Sequence, residues 1–152
     1  MTPGGPHIRP VTREDAAAVA ALSGQLGYPV SAEAVATRLE RLLGCDDQLV
    51  LAAVGGDGAL AGWIHAAEQD LVETERRCEI LGLVVEGRRR RGGIGRRLVA
   101  EVERWAAGRG MRQMSVRSNV AREESHPFYE AQGYGRVKTQ QVYRKPIGGS
   151  SP

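Results

Sequence analysis

The chain has 152 residues, 41% of them hydrophobic and 26% charged, with a formal net charge of +3. This length favours one domain with a buried core, and no apolar run reaches the roughly 18 residues that cross a bilayer. Because the N-terminus lacks a signal-like apolar stretch and Cys45 and Cys78 form no disulfide framework, we expect a soluble protein of the reducing cytoplasm.

Two helices are predicted near the N-terminus, after a first short strand. Thr12 and Asp15 have the spacing of a helix-capping pair, and the apolar stripe behind them indicates a helix that stops at Gly27. Ser31 is the expected N-cap of a second helix, which Gly44 ends.

Three strands are predicted next. Gln48–Val54 and Ala59–Ala66 are joined by a glycine-rich turn, Gly55-Gly56-Asp57-Gly58, that suits a hairpin. Ile80–Val85 is a continuous apolar run, typical of a strand buried on both faces. Gly82 interrupts this run and predicts a β-bulge there.

The second half alternates helices and strands. Apolar spacing predicts a helix from about Gly93 to Gly108, a strand over Met111–Arg117, a short helix over Ser125–Ala131 and a last strand over Val137–Arg144. This order indicates an α/β (α+β) fold with a mixed sheet covered by helices. The Gly-, Pro- and Ser-rich ends, 1–6 and 148–152, are expected to be flexible around a single domain over 7–147.

Six arginines fall in one ten-residue window: Arg88, Arg89, Arg90, Arg91, Arg96 and Arg97. Within it, Arg90-Arg91-Gly92-Gly93-Ile94-Gly95 lies between a predicted buried strand and a helix. Glycines let the backbone approach an anion, and the first N–H groups of a helix lack intrahelical partners. The segment therefore predicts a phosphate-binding turn, but it lacks the G-K-[ST] ending of ATP sites and the third glycine of NAD sites.

The same segment resembles the acetyl-CoA-binding motif of the GNAT superfamily, [QR]-x-x-G-x-[GA], with Arg90, Gly93 and Gly95 at the matching positions. Leu83-Val84-Val85 resembles the L-x-V strand end that precedes that motif. His126 to Tyr134 resembles the F-Y-E-x-x-G-[FY] signature near the end of these proteins. The resemblance implies a GNAT-like fold, whose central sheet is mixed, mostly antiparallel and flanked by about four helices.

The resemblance also implies the coenzyme site of an acetyl-CoA-dependent N-acetyltransferase. The residues that it assigns to coenzyme binding are Leu83, Val84, Val85, Arg90, Arg91, Gly92, Gly93, Ile94, Gly95, Arg96 and Asn119. In the family, the backbone of the strand before the motif bonds the pantetheine arm, and a backbone N–H there meets the developing oxyanion. Asn119 lies further from Tyr129 than the family's usual spacing, which leaves its role open.

By the same resemblance, Glu79 would help to deprotonate the acceptor amine, and Tyr129 would return a proton to the departing thiolate. A solvated glutamate at a strand entrance and a tyrosine that only packs are the structural alternatives. His126 is expected to pack or cap a helix. No metal-ligand cluster and no covalent acyl-enzyme set is visible, which favours direct attack in a ternary complex.

The implied acceptor is a primary amine on a small molecule or a peptide. Tyr28 and Trp63 are the candidate acceptor-binding residues. An acidic stretch, Glu68 to Glu75, either favours a cationic amine or is a solvated loop. We expect no membrane partner and consider a homodimer possible.

Two other functions stay open at this stage. A protein with this fold could bind CoA without catalysis, as a sensor or an interaction partner. The arginine window could instead contact nucleic acid, but aromatic residues make up only 5% of the chain and none interleaves with those arginines. We therefore do not expect a nucleic-acid partner.

Overall fold

The computed structural model describes residues 6–25, 27–87, 92–117 and 125–148. The chain divides into two compact units, 1–117 and 118–152. In the first unit the strands are β1 (His7–Pro10), β2 (Gln48–Val54), β3 (Leu60–Gln69), β4 (Arg77–Val85) and β5 (Met114–Val116). Its helices are α1 (Ala16–Gln25), α2 (Ala32–Leu42) and α3 (Ile94–Gly108), and the second unit contains α4 (Ser125–Glu130).

The sheet of the first unit has the strand order β1-β2-β3-β4-β5. The first four strands are antiparallel to their neighbours, whereas β5 is parallel to β4. This arrangement confirms the mixed, mostly antiparallel sheet. β5 is shorter than predicted, because it pairs only with Cys78 to Ile80 of β4. Beyond Ile80, β4 has a strand partner on its β3 side alone among the described residues.

The start of α1 is tied to β1 by a short polar network. The Thr12 N–H donates to Asp15 Oδ2 at 2.8 Å, as the sequence spacing predicts for a capping pair. Both terminal nitrogens of Arg9 donate to the same carboxylate, at 2.8 and 2.9 Å. These bonds cap a short 3₁₀ turn, Arg13–Asp15, which leads directly into α1 where the chain leaves the sheet.

Helices cover both faces of the sheet. On one face, the core cluster that joins α1 and α2 to β2 consists of Val11, Ala16, Val19, Ala20, Val35, Leu39, Val50 and Ala52. On the other face lies α3, whose buried residues include Leu98, Val99 and Val102. We call these the α1/α2 face and the α3 face. Paired residues share a face, so the register assigns every strand side chain to one of them.

A β-bulge interrupts β4, as Gly82 predicts. His65 pairs with Gly82, but the next residue, Ala66, pairs with Ile80, so Leu81 is the extra residue. A Cβ on Gly82 would lie 3.0 Å from two ring atoms of Trp63. The glycine therefore lets the indole ring lie directly over the backbone of β4.

The predicted last strand, Val137–Arg144, is wrong. Residues 134–147 form neither helix nor strand, and Val137, Tyr143 and Ile147 are 86 to 91% exposed. Strand-forming side chains become a strand only beside a hydrogen-bonded neighbour. The described part of the second unit contains no other strand that could supply one.

Candidate active site

Gly93 stands at the N-terminus of α3 in the left-handed conformation, with φ of 78°. Among the described residues, no atom beyond its chain neighbours lies within 4 Å of the position that its Cβ would take, and no described side chain caps the helix. The first N–H groups of a helix have no intrahelical partner and can donate to an anion. Gly92 and Arg96 beside this turn are exposed, whereas Ile94 and Gly95 are buried. Arg90 and Arg91 lie outside the described residues.

Leu83, Val84 and Val85 form the last part of β4, past the bulge. Their strand partner is β3, where the backbones approach closely: a Cβ on Gly62 would lie 2.8 Å from the Val84 carbonyl oxygen. Val84 is buried and its two neighbours are half-buried. Since β5 ends opposite Ile80, the other edge of this segment has no strand partner within the described ranges.

Glu79 is a buried carboxylate rather than a solvated one. The residue is 7% exposed, and the Ser115 hydroxyl donates to its Oε1 at 3.0 Å. Its Oε2 lies 3.5 Å from Nε of Arg117. Sequence reasoning missed both partners, although the alternation of β5 places Ser115 and Arg117 on the same side of that strand.

Glu79 lies on the α1/α2 face, because it pairs with Ala67, two positions along β3 from His65. His65 Nε2 lies 2.7 Å from Gln48 Oε1. Burial lowers the pKa of His65, so the ring is neutral at pH of about 7. These side chains form a polar row on the α1/α2 face that the sequence reading did not identify.

Trp63 and Tyr28 occupy different surroundings. Trp63 is partly buried and packs against the α1/α2-face core, and its buried Nε1 has no hydrogen-bond partner among the described groups. Tyr28 follows α1 and is 53% exposed. Trp63 shares its face with Glu79, because Ala67, the partner of Glu79, lies four positions along β3 from Trp63.

Glu68 lies on the α3 face, where it forms ion pairs with two arginines. It pairs with Cys78 in the β3–β4 register, and its Oε1 lies 3.6 Å from Arg76 and 3.5 Å from Arg109. The acidic stretch is therefore divided: Glu68 is held by two arginines, whereas Asp70, Glu73 and Glu75 are exposed.

Burial, with added repulsion from Glu68 and Glu79, raises the pKa of the Cys78 thiol to about 11.

Tyr129 lies on α4 in the second unit. Its ring makes edge-to-face contacts with Phe128 and Tyr134, at centroid distances of 5.0 and 5.8 Å. Burial raises the pKa of the phenol, so it is protonated at neutral pH. His126 is half-buried on the same helix. Asn119 lies outside the described residues.

None of the helices in the described ranges combines the length and apolar character needed to cross a membrane. Those ranges also contain no group of three His, Cys, Asp or Glu side chains able to hold a metal ion.

The chain matches known acetyltransferases over nearly its full length. A model of the acetyltransferase (GNAT) family matches residues 17–134. An aminoglycoside N(6')-acetyltransferase type 1 from Stenotrophomonas maltophilia is 27% identical over 151 residues, which cover 97% of each chain. A second protein of that name, from Serratia marcescens, is 26% identical over 114 residues, which cover 72% of this chain and 78% of the relative.

Two solved structures show the same fold. The aminoglycoside 6'-N-acetyltransferase AAC(6')-Ih from Acinetobacter baumannii has a TM-score of 0.83 at 22% identity, with 95% of this chain and 100% of that one covered. The aminoglycoside N-acetyltransferase AAC(6')-Iy in complex with CoA has a TM-score of 0.83 at 24% identity, with 97% and 100% covered. Because the family model spans well over half of the sequence, the chain belongs to the acetyltransferase (GNAT) family and is an acyltransferase that uses acetyl-CoA.

Proposed function

We propose that the protein transfers the acetyl group of acetyl-CoA to a primary amine of a small cationic acceptor, by direct attack in a ternary complex. The observation that carries this proposal is the position of Glu79. It is a buried carboxylate on β4, beside the bulge, and past Ile80 the same strand has no partner on its β5 side in the part of the chain that the structure describes. Such an edge supports the binding of an extended ligand beside a group that can accept a proton.

The coenzyme would be held along the edge of β4 and at the start of α3. Leu83, Val84 and Val85 would offer backbone hydrogen bonds to the pantetheine arm. Gly92, Gly93, Ile94, Gly95 and Arg96 would face the pyrophosphate, with Arg90, Arg91 and Asn119 as further candidates. The fit is supported by the left-handed conformation of Gly93 and by the edge of β4 that no described strand covers past Ile80. When bound there, acetyl-CoA supplies a thioester carbonyl.

Glu79 would accept a proton as the acceptor becomes nucleophilic. A primary aliphatic amine is mostly an ammonium ion at neutral pH, as the reference pKa of about 10.4 for lysine indicates, and it must lose a proton before it attacks. The Ser115 hydrogen bond orients one carboxylate oxygen, which leaves Oε2 as the one directed to the amine or to a bridging water. Holding the amine against the thioester would supply much of the rate.

Tyr129 would act as the general acid that protonates the leaving sulfur. A phenol whose pKa is raised by burial keeps its proton at neutral pH and can donate it. Phe128 and Tyr134 would keep the ring in one orientation through their edge-to-face contacts.

Aminoglycosides are the first acceptors to test. They carry several amino groups that are cationic at neutral pH, and two relatives bear the name aminoglycoside N(6')-acetyltransferase. Trp63, which shares a face with Glu79, and Tyr28 are the proposed acceptor contacts. A thiol-release assay with acetyl-CoA should compare aminoglycosides, polyamines, amino acids and lysine peptides.

The decisive variant is Glu79→Gln, because glutamine keeps the shape and the acceptor for Ser115 but removes the base. We expect kcat for the best amine to fall by about 10²- to 10⁴-fold while CoA affinity is retained. A protein that binds CoA but releases no thiol with any amine would indicate a non-catalytic role. Unchanged kcat in Glu79→Gln would remove Glu79 from the mechanism.

A further inference from the structure

The Arg117 side chain contacts the carboxylate that the proposed mechanism uses. Its Nε lies 3.5 Å from Glu79 Oε2, while the side chain itself is 67% exposed and that of Glu79 only 9%. The guanidinium is therefore a solvent-exposed cation at Oε2, on a carboxylate whose other oxygen accepts from Ser115.

The two partners of Glu79 are of different kinds. Ser115 donates a hydrogen bond of 3.0 Å to Oε1 from the paired position on β5. Arg117 contributes charge at a longer distance, from a long side chain that water largely surrounds. Only the arginine end of this ion pair is exposed, so water screens the guanidinium, and the long side chain loses freedom by staying in place. The serine contact is thus the fixed one, and the arginine contact is easily displaced.

We propose that the Arg117 guanidinium competes with the acceptor's ammonium group for Glu79, and that a cationic acceptor binds by displacing Arg117 from this carboxylate. This inference rests on the proposed function, because it takes Glu79 to be the carboxylate that receives the amine. Arg117 is then a specificity-determining residue. An acceptor with a strong local positive charge replaces the guanidinium, whereas an uncharged amine does not restore the positive charge beside Oε2.

The test compares steady-state kinetics of the parent, Arg117→Ala and Arg117→Lys with the best cationic amine. Loss of the competing charge should lower KM for that amine by about two- to fivefold in Arg117→Ala, the range expected for a screened contact with one solvent-exposed partner. Arg117→Lys should stay near the parent, because the charge is kept. KM for acetyl-CoA should not change.

Two controls separate competition from a general charge effect. Arg112→Ala removes the same charge from an exposed position just before β5 and should leave KM unchanged. An aromatic amine, which is uncharged at neutral pH, should show no gain in Arg117→Ala. In a Glu79→Gln background the Arg117→Ala substitution should lose its effect on KM, because the carboxylate for which the two cations compete is gone.

A rise in KM, or a fall in kcat with KM unchanged, in Arg117→Ala would overturn the inference, since it would identify an acceptor-binding or orienting residue. Full kcat in Glu79→Gln would instead contradict the proposed function. If the parent turns over no amine, calorimetric titration with a polyamine replaces kinetics. Tighter binding by Arg117→Ala then supports the inference, and equal binding refutes it.

Discussion

Replacing Asp15 with asparagine should weaken the junction between β1 and α1. The residue is 8% exposed. Its two oxygens together accept hydrogen bonds from both terminal nitrogens of Arg9 and from the Thr12 N–H, at 2.8 to 2.9 Å. Asparagine has only one acceptor oxygen. Whichever way its amide turns, at least one Arg9 N–H then faces another donor.

The expected loss in the free energy of unfolding depends on how exposed Arg9 and Asp15 are. Hydrogen bonds to charged groups are worth about 1.5 to 3 kcal/mol. The Arg9 side chain is 37% exposed and that of Asp15 11%, so water replaces part of what is lost. We therefore expect Asp15→Asn to lower the free energy of unfolding by about 1 to 2 kcal/mol. Urea unfolding followed by circular dichroism at neutral pH measures it.

A double-mutant cycle provides the control. In an Arg9→Met background, the loss caused by Asp15→Asn should shrink, because the guanidinium contacts are already absent. An Asp15→Asn protein within about 0.3 kcal/mol of the parent would refute the reasoning, since it would mean that the network contributes nothing net.

The pH dependence has a fixed sign. Hydrogen bonds from Arg9, and then from the Thr12 backbone, hold the pKa of Asp15 below its ordinary value despite burial, which acts the other way. The stability from this carboxylate is therefore complete above the unfolded-state pKa of about 3.9 and is lost as pH falls through the native pKa. The gap between parent and variant should stay constant down to about pH 5 and then close; a gap that widens on acidification would contradict this.

The two cysteines should differ in alkylation: Cys45 is exposed, whereas Cys78 is buried with a pKa of about 11. Mass spectrometry after iodoacetamide treatment of the native protein should find label on Cys45 alone, and a labelled native Cys45→Ser variant would disagree with the structure. Tyr129→Phe keeps the ring contacts, so the melting temperature should change little, while the single-turnover rate should fall by about 10²- to 10⁴-fold. A variant that matches the parent from about pH 6 to 9 would show that Tyr129 only packs.

Local signals in the sequence predicted much of the first unit. The Ser31 hydroxyl accepts from the Ala34 N–H at 3.0 Å and starts α2 as predicted, because capping involves residues only three apart. Gly82 predicted the bulge, since a glycine inside an apolar strand often marks one. Gly93, read as part of an anion-binding turn, has the positive φ that such a turn uses.

Features that depend on distant partners could not be predicted in this way. Nothing near Glu79 in the sequence indicates that it is buried, because Ser115, which donates a hydrogen bond to one of its oxygens, comes 36 residues later. Val137–Arg144 has strand-forming side chains but no neighbouring strand in the described part of its unit, so propensity alone misled the prediction. The coenzyme roles of Arg90, Arg91 and Asn119 stay predictions.

The extra residue at Leu81 decides on which side of the sheet the carboxylate of Glu79 stands. If β4 continued in step from the His65–Gly82 pair, Glu79 would lie opposite Glu68 and face α3, among the apolar residues beneath that helix. Because Leu81 bulges out of the pairing, Glu79 lies on the same face of the sheet as Trp63, and Cys78 and Ile80 lie on the opposite face. If Leu81 joined the regular pairing, the faces of Cys78, Glu79 and Ile80 would therefore be exchanged, whereas deletion of Leu81 would leave Ile80 opposite Ala66 and Glu79 opposite Ala67. The bulge itself, and not the length of the exposed 70–75 loop, thus sets the face on which Glu79 lies.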